Sequence, residues 1–225
     1  MSTPSIVLTI AVIGGTGKEG KGLSYRWARA GYRVIIGSRS PDKAAVAAAE
    51  IGERLNGNSV ALGMSNEEAA RQADLVVLTV PYAAHHEILQ SIRSAVQGKV
   101  LIDATVPLVA GKVSRVHMPA AGSAAQEASQ ILGDGVQVAA AFHNISHELL
   151  AQAGPVECDV LVTGTSQQAR AEALKLVAAA NLRGWDAGPL ENSAVSEGLT
   201  SVLIHINKTY GSVHAGVRVT GAGDR

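Results

Sequence analysis

Seven residues, Gly14-Gly15-Thr16-Gly17-Lys18-Glu19-Gly20, contain the spacing G-x-G-x-x-G from Gly15 onward. That spacing does chemistry only between a buried strand and the start of a helix. Both flanks meet the condition. Ile6 to Ile13 is apolar except for Thr9, and an amphipathic pattern follows the glycines to about Ala30. In this setting Gly15 is expected to permit the tight turn. Gly17 should let the backbone approach a pyrophosphate, and Gly20 should let the helix pack closely on the sheet. The unpaired N–H groups of the first helical turn, aided by the helix dipole, then meet the phosphates. Thr16, Lys18 and Glu19 complete the expected contacts at this turn. No G-K-[ST] follows at the spacing of a P-loop.

The next signal lies one strand later, in Val34-Ile35-Ile36-Gly37-Ser38-Arg39-Ser40. A dinucleotide site for NAD places Asp or Glu at the end of that strand, to accept from the ribose 2′-hydroxyl. Here no carboxylate stands there. Ser38 can donate to a phosphate oxygen, and Arg39 can pair with a 2′-phosphate and stack on adenine. Lys43, in the first turn of the helix beyond, joins them in the expected set. The missing acid and the added base both point to NADP.

Across the expected crevice, Thr79-Val80-Pro81-Tyr82 ends another strand, and ligands of such sheets lie outside the carboxyl ends of strands. Thr79, Val80 and Pro81 are expected at the cofactor, with Tyr82 stacking on the site or covering it. His85 and His86 fall at the expected start of the next helix, where one of them can cap the helix or meet a phosphate. Adjacent residues do not share a helix face, so they do not make a metal clamp. His143, followed by Asn144 and by His147 four positions on, is expected to line the pocket. Cys158 reads as strand packing. No nucleophile constellation is present and no catalytic side chain or metal ligand is assigned. Hydride transfer needs two rings held at reacting distance with water excluded.

These residues require a particular scaffold. After Ile6–Ile13 and the first helix come a strand at Tyr32–Gly37 and a helix from Pro41 to about Leu55. A short strand at Val60–Leu62 follows, then a short helix capped by Ser65 with Glu68 three residues on. A strand at Asp74–Val80, a helix from His85 to Val96 and a strand at Lys99–Asp103 complete the repeating part. Thr105–His117 reads as loop. Ser123–Leu132 is expected to be helix, Val136–Phe142 and Val156–Thr163 strands, Ser166–Ala180 helix, Arg183–Asp186 a short strand and Asn192–Tyr210 the last long helix. This alternation predicts an α/β fold, a Rossmann-type doubly wound parallel sheet with a smaller C-terminal α/β part. Residues 1–140 are expected to form the NADP-binding domain and 141–225 the smaller domain that completes the cleft.

Composition narrows the class further. Of 225 residues 47% are hydrophobic, enough for a core without staples. Lys plus Arg and Asp plus Glu both total 19, so net charge gives no reason to expect nucleic acid or an acidic membrane as partner. The lone cysteine excludes an intramolecular disulfide and suggests a cytoplasmic setting. Met1–Ser5 and the glycine-broken apolar run after it read as neither signal peptide nor membrane span. On these features the chain is an NADP-dependent oxidoreductase. Its acceptor could be an imine or a flavin-like compound, and a non-catalytic NADP sensor would carry the same nucleotide residues.

Gly14-Gly15-Thr16-Gly17-x-x-Gly20, Ile36-Gly37-Ser38-Arg39, Leu78-Thr79-Val80-Pro81-Tyr82, Asp186-Ala187-Gly188-Pro189-Leu190 and Gly198-Leu199-Thr200 occur in this order. Together they resemble the NADPH-dependent coenzyme F420 reductases. The resemblance covers most of the chain. It implies reversible hydride transfer between C4 of NADP(H) and C5 of the deazaflavin F420, which sits against the nicotinamide in the cleft between the two parts. It implies no metal and no covalent intermediate, and a homodimer or larger homo-oligomer. The family's phosphate-binding pattern falls on Thr16, Ser38 and Arg39. Family members often carry Pro-Trp where this chain has Pro81-Tyr82, and some carry Pro-Leu-Val-Pro where it reads Pro107-Leu108-Val109-Ala110. The anionic F420 tail makes Lys112, Arg115, Lys208 and Arg218 candidate contacts.

Overall fold

The computed structural model describes residues 8–57 and 60–222. Its strands are β1 (Thr9–Ile13), β2 (Arg33–Ser38), β3 (Ala61–Ser65), β4 (Leu75–Leu78), β5 (Val100–Asp103), β6 (Gln137–Ala140), β7 (Asp159–Gly164) and β8 (Arg183–Pro189). The helices are α1 (Lys18–Arg29), α2 (Pro41–Arg54), α3 (Asn66–Gln72), α4 (Tyr82–Ile92), α5 (Ala124–Leu132), α6 (His147–Leu150), α7 (Gln167–Ala179) and α8 (Ser193–Tyr210). The expected start of the first strand at Ile6 and Val7 lies outside the described residues.

One sheet of eight strands runs in the order β3-β2-β1-β4-β5-β6-β7-β8. The first six are parallel and follow the Rossmann order 3-2-1-4-5-6. The chain's direction of winding reverses between β1 and β4, so a crevice must open there, outside the carboxyl ends. Both faces of these strands are covered, which explains why they read as unbroken apolar runs. Successive side chains alternate between two cores. Ile10, Val12, Val34 and Ile36 pack under α1, α2 and α7. Ala11, Ile13, Ile35 and Val76 pack under α3, α4 and α5.

The sheet continues past β6 with a change of direction. β7 is antiparallel to β6, and β8 is parallel to β7. The chain therefore does not cross back after β6. Residues 141–158 stay at the carboxyl end of the parallel strands, and 143–148 among them form a wall of the crevice. α8 is then held against that wall. Asn144 Nδ2 donates to the Ser196 carbonyl at 2.9 Å, and Thr200 Oγ1 donates to the His143 carbonyl at 2.8 Å.

Local signals explain most boundaries. Ser65, Ser123 and Ser166 accept from the N–H three residues on and open α3, α5 and α7. Two expectations need correction. The helix expected from His85 begins at Tyr82, directly after Pro81, and ends at Ile92. Pro81 fits the position before the first helical residue, so the helix starts about a turn early and both histidines lie inside it, not at its end. Cys158 lies just before β7, not within a strand.

Candidate functional site

A cleft of about 980 Å³ opens over the carboxyl ends of β1, β2, β4, β5 and β6. Thr16, Gly17, Lys18, Glu19, Ser38, Arg39, Lys43, Thr79, Val80, Pro81 and His143 all line it. Gly15 and Gly20 do not reach its wall; they pack underneath and set its shape.

The glycine turn differs in one respect from expectation. The left-handed residue is Gly14, at φ +74°, so Gly14 rather than Gly15 makes the tight turn. Gly15 is needed for close approach, because a Cβ there would lie 2.7 Å from the Val12 carbonyl oxygen and 3.1 Å from Ile36 Cγ2. Its N–H donates to the Gly37 carbonyl at 3.1 Å, which ties the turn to the end of β2. A Cβ on Gly20 would meet the Gly15 backbone at 2.6 Å and Thr79 Oγ1 at 2.7 Å, so α1 sits directly on the turn. Gly17 precedes α1 with no side-chain cap, and a Cβ there would meet only the Gly14 oxygen at 3.6 Å. The first-turn N–H groups are left for an anion.

At the end of β2, buried Ser38 accepts from the Ser40 N–H at 3.1 Å, which leaves its own proton free to donate. Arg39 and Lys43 are exposed on the same rim. Asn66, absent from the sequence reading, lies between this rim and the turn. It is buried, lines the cleft and places Oδ1 3.5 Å from the Gly14 N–H.

The opposite wall is a buried polar cluster. His85 Nε2 and Asp103 Oδ2 are 2.7 Å apart with both side chains fully buried. Asp103 Oδ1 accepts from the Thr105 N–H at 2.9 Å and fixes the loop that borders the cleft. His85 therefore neither caps a helix nor faces a phosphate. His86 is exposed and contacts Gln90. Tyr82 turns away from the cleft and donates to Glu127 Oε2 at 2.7 Å; burial and that contact push its phenol up to about 12. His143 precedes α6, so it does not share a helix face with His147. Desolvation holds its imidazole down at about 4, hence neutral. Ser196 Oγ lies 3.1 Å from the Ser193 carbonyl, to which it can donate, and 3.4 Å from His143 Nδ1. His143 Nε2 and Thr105 Oγ1 are buried without partners and both residues line the cleft. Buried polar atoms of this kind want a ligand or water.

Two carboxyls in this region are pushed up to about 8, chiefly by desolvation: Glu19 at the cleft and fully buried Glu197 on α8. Glu197 accepts from the N–H groups of Ala124 and Ala125 at 2.7 and 3.1 Å, joining α8 to the start of α5. Both raised values carry a stability consequence. Between the ordinary value of 4.5 and about 8, the folded chain holds protons that the unfolded chain has released. Stability is then full below 4.5 and falls as pH rises toward 8. We expect the urea midpoint of the ligand-free protein to decline from pH 5.5 to 8.5, and Glu19→Gln to flatten that slope. A slope identical in the variant would refute the assignment to Glu19.

The sequence reading also missed the last stretch of chain. Residues 212–219 return across β7. The Asp159 N–H donates to the Val217 carbonyl at 2.7 Å, and the Val219 N–H donates to Asp159 Oδ2 at 2.8 Å. Ser212, Val213 and Ala215 thereby line the cleft. Buried Cys158 packs under this segment, accepts from the Val217 N–H at 3.4 Å, and has its thiol pushed up by burial. No hydrophobic period or motif marks the return; only the pairing with β7 reveals it. No helix among the described residues is long and apolar enough to cross a membrane.

Comparison with known proteins adds an independent line. Residues 9–107 match the family described as NADP oxidoreductase, coenzyme F420-dependent. The chain is 43% identical over 222 residues to the F420-dependent NADP reductase of Methanothermobacter thermautotrophicus, covering 96% of each chain. It is 43% identical over 220 residues to the enzyme of the same name from Methanothermobacter marburgensis, covering 95% of this chain and 98% of that one. In fold it is similar to a crystal structure from Arthrobacter sp. FB24 provisionally described as an F420-dependent NADP reductase. That match has a TM-score of 0.78 at 23% identity, over 95% of this chain and 99% of the other.

Proposed function

The chain belongs to the F420-dependent NADP reductase family, and on that premise we propose that it transfers a hydride reversibly between C4 of NADP(H) and C5 of coenzyme F420. The observation that carries the reading is one cleft with two different ends. At one end the bare first turn of α1 meets Ser38 and Arg39 with no acid at the end of β2. At the other, neutral His143 and Thr105 present unpaired polar atoms beneath α8. The residues fit the nucleotide. Gly17 leaves room where a side chain would fill the cradle, and the helix start has no cap of its own.

In this reading Thr16, Gly17, Lys18 and Glu19 border the pyrophosphate, and Ser38, Arg39 and Lys43 take the 2′-phosphate. Thr79, Val80, Pro81 and His143 bound the ring end, over the foundation laid by Gly15 and Gly20. Bound NADPH and F420 would supply the redox chemistry between them, without metal or covalent attachment to the chain. The protein's share is orientation and exclusion of water. Asp103 holds the 104–108 loop, and α8 with residues 212–215 covers the ring end.

We assign residues 1–140 to the nucleotide-binding part and 141–225 to the part that completes the acceptor's side of the cleft. We further propose a cytoplasmic enzyme that acts as a homodimer or larger homo-oligomer on small redox coenzymes. The decisive experiment mixes the protein with F420 and either NADPH or NADH and follows the oxidised deazaflavin absorbance. Fast loss of that band with NADPH and slow loss with NADH is expected. Tight NADPH binding with no loss of the band would overturn the proposed reaction.

A further inference from the structure

A second, smaller pocket of about 240 Å³ opens beside the cleft, lined by Gly111, Lys112, Val113, Ser114, Arg115 and Lys208. Three of these residues are cations, and none of the described residues lining it is acidic. Lys112, Arg115 and Lys208 have no carboxylate partner among the described residues. Ser114 Oγ is buried in the same loop without a hydrogen-bond partner. Lys208 lines both this pocket and the main cleft, so the two spaces adjoin at its side chain.

The pocket is built on a fixed frame. The loop turns through Lys112 N–H to the Val109 carbonyl and Arg115 N–H to the Lys112 carbonyl, each at 2.9 Å. Ser201 Oγ on α8 donates to the Arg115 carbonyl at 3.3 Å. Gly198 on α8 lets Val116 and Met118 come close, since a Cβ there would lie 3.3 Å from Val116 Cγ1. The two cations of the loop are thus held against the helix that carries the third. Arg218 lines neither space.

Like charges brought together without counter-ions repel, and an anion relieves that repulsion. Ser38, Arg39 and Lys43 already provide cationic recognition at the nucleotide rim, and no residue of this pocket belongs to that rim. We infer that Lys112, Arg115, Lys208 and the Ser114 hydroxyl form an anion pocket for the phosphate- and carboxylate-bearing chain attached to the acceptor ring. This deepens the proposed function and rests on its assignment of the α8 end to the acceptor.

The test compares two acceptors by fluorescence titration, without turnover: F420 with its phosphate and glutamate chain, and the same deazaflavin ring and ribitol lacking that chain. The proteins are the wild type, Lys112→Gln/Arg115→Gln, and Lys208→Gln. An exposed ion pair contributes up to roughly fivefold, so two lost together should weaken F420 binding by about five- to 25-fold. Binding of the chain-less ring and of NADPH by the double variant should stay within about twofold of wild type. Equal weakening of both acceptors, no weakening of either, or no F420 binding by the wild type would overturn the pocket. A loss confined to NADPH would move the cations to the nucleotide's phosphates and overturn it as well. Selective loss of F420 binding, in a wild type that fails to oxidise NADPH with F420, would uphold the pocket and sink the proposed reaction.

Discussion

Arg39→Asp is expected to lower kcat/KM for NADPH by about 30- to 100-fold, corresponding to roughly 2–3 kcal/mol for a lost charge-assisted contact and an added repulsion. The side chain is exposed on the cleft rim beside Ser38, with Gly37 and Asn66 packed behind it, so it can change without disturbing β2. The new carboxylate would stand where an NAD site keeps its ribose-binding acid. NADH should therefore lose nothing and can gain several-fold. Arg39→Lys separates charge from geometry. It keeps the cation but loses the planar fork, and should cost less than the aspartate and leave NADH unchanged. Parallel steady-state kinetics with both nucleotides give the answer. A NADPH-to-NADH preference that survives Arg39→Asp would place the 2′-phosphate elsewhere.

How much of this was legible in the sequence depended on the range of the interactions involved. The β1–turn–α1 unit, Ser38 and Arg39 are local features, fixed by strand, glycine and helix periods within about thirty residues. They fell where expected, except that Gly14 makes the tight turn expected of Gly15. Spacing alone cannot say which of two adjacent glycines takes positive φ; both are crowded, Gly14 by Val80 and Thr79 beyond β4 and Gly15 by Val12 and Ile36, and only Gly14 is left-handed. The histidines show how a small boundary error becomes a wrong role. Starting α4 at Tyr82 instead of His85 puts Pro81 at the cap position and carries both histidines about one turn into the helix, away from its end. His85 then meets Asp103, eighteen residues on, and Tyr82 meets Glu127 on α5. Asn66, the Glu197 link to α5 and the C-terminal return depend on partners 52, 72 and 58 or more residues away. No period in a single segment encodes such pairings.

Local rules also say little about the residue on which stability most depends. On α1, Arg26 reads as an ordinary cation near the C-terminus of an amphipathic helix, suited to the helix dipole. In the fold it is 4% exposed and bonded only to backbone carbonyls of distant chain. Its Nε donates to Leu150 at 3.0 Å and Nη1 to Ala180 at 2.7 Å; Nη2 lies within bonding distance of Leu149, Gln152 and Gly154 at 2.9, 2.6 and 3.2 Å. The 149–154 turn has little secondary structure of its own, and this one guanidinium gathers its Leu150, Gln152 and Gly154 carbonyls, with that of Leu149, which also accepts from the Gln152 N–H. Its burial is costly, and desolvation lowers its proton affinity. The fork geometry makes the site tolerable because several carbonyls share the charge.

Arg26→Met keeps the stem and removes the donors. Leaving that many acceptors without a partner should destabilise the fold by about 3 kcal/mol or more. For a chain of this size that corresponds to a fall in Tm of roughly 6–12 °C. Arg26→Lys can satisfy some of the carbonyls and should fall between. Arg29, one turn on, makes an exposed bond to the Ala153 carbonyl at 2.8 Å. Arg29→Met should therefore change stability by less than about 1 kcal/mol. The same turn abuts residues 143–148, which line the cleft. A loosened turn should consequently raise KM for the acceptor before it affects Ser38 and Arg39 at the far rim. Denaturant unfolding of the three variants beside the wild type tests the stability ranking. An Arg26→Met midpoint equal to that of Arg29→Met would mean that the 149–154 turn is held by its packing against Gly22 and α1, not by the guanidinium.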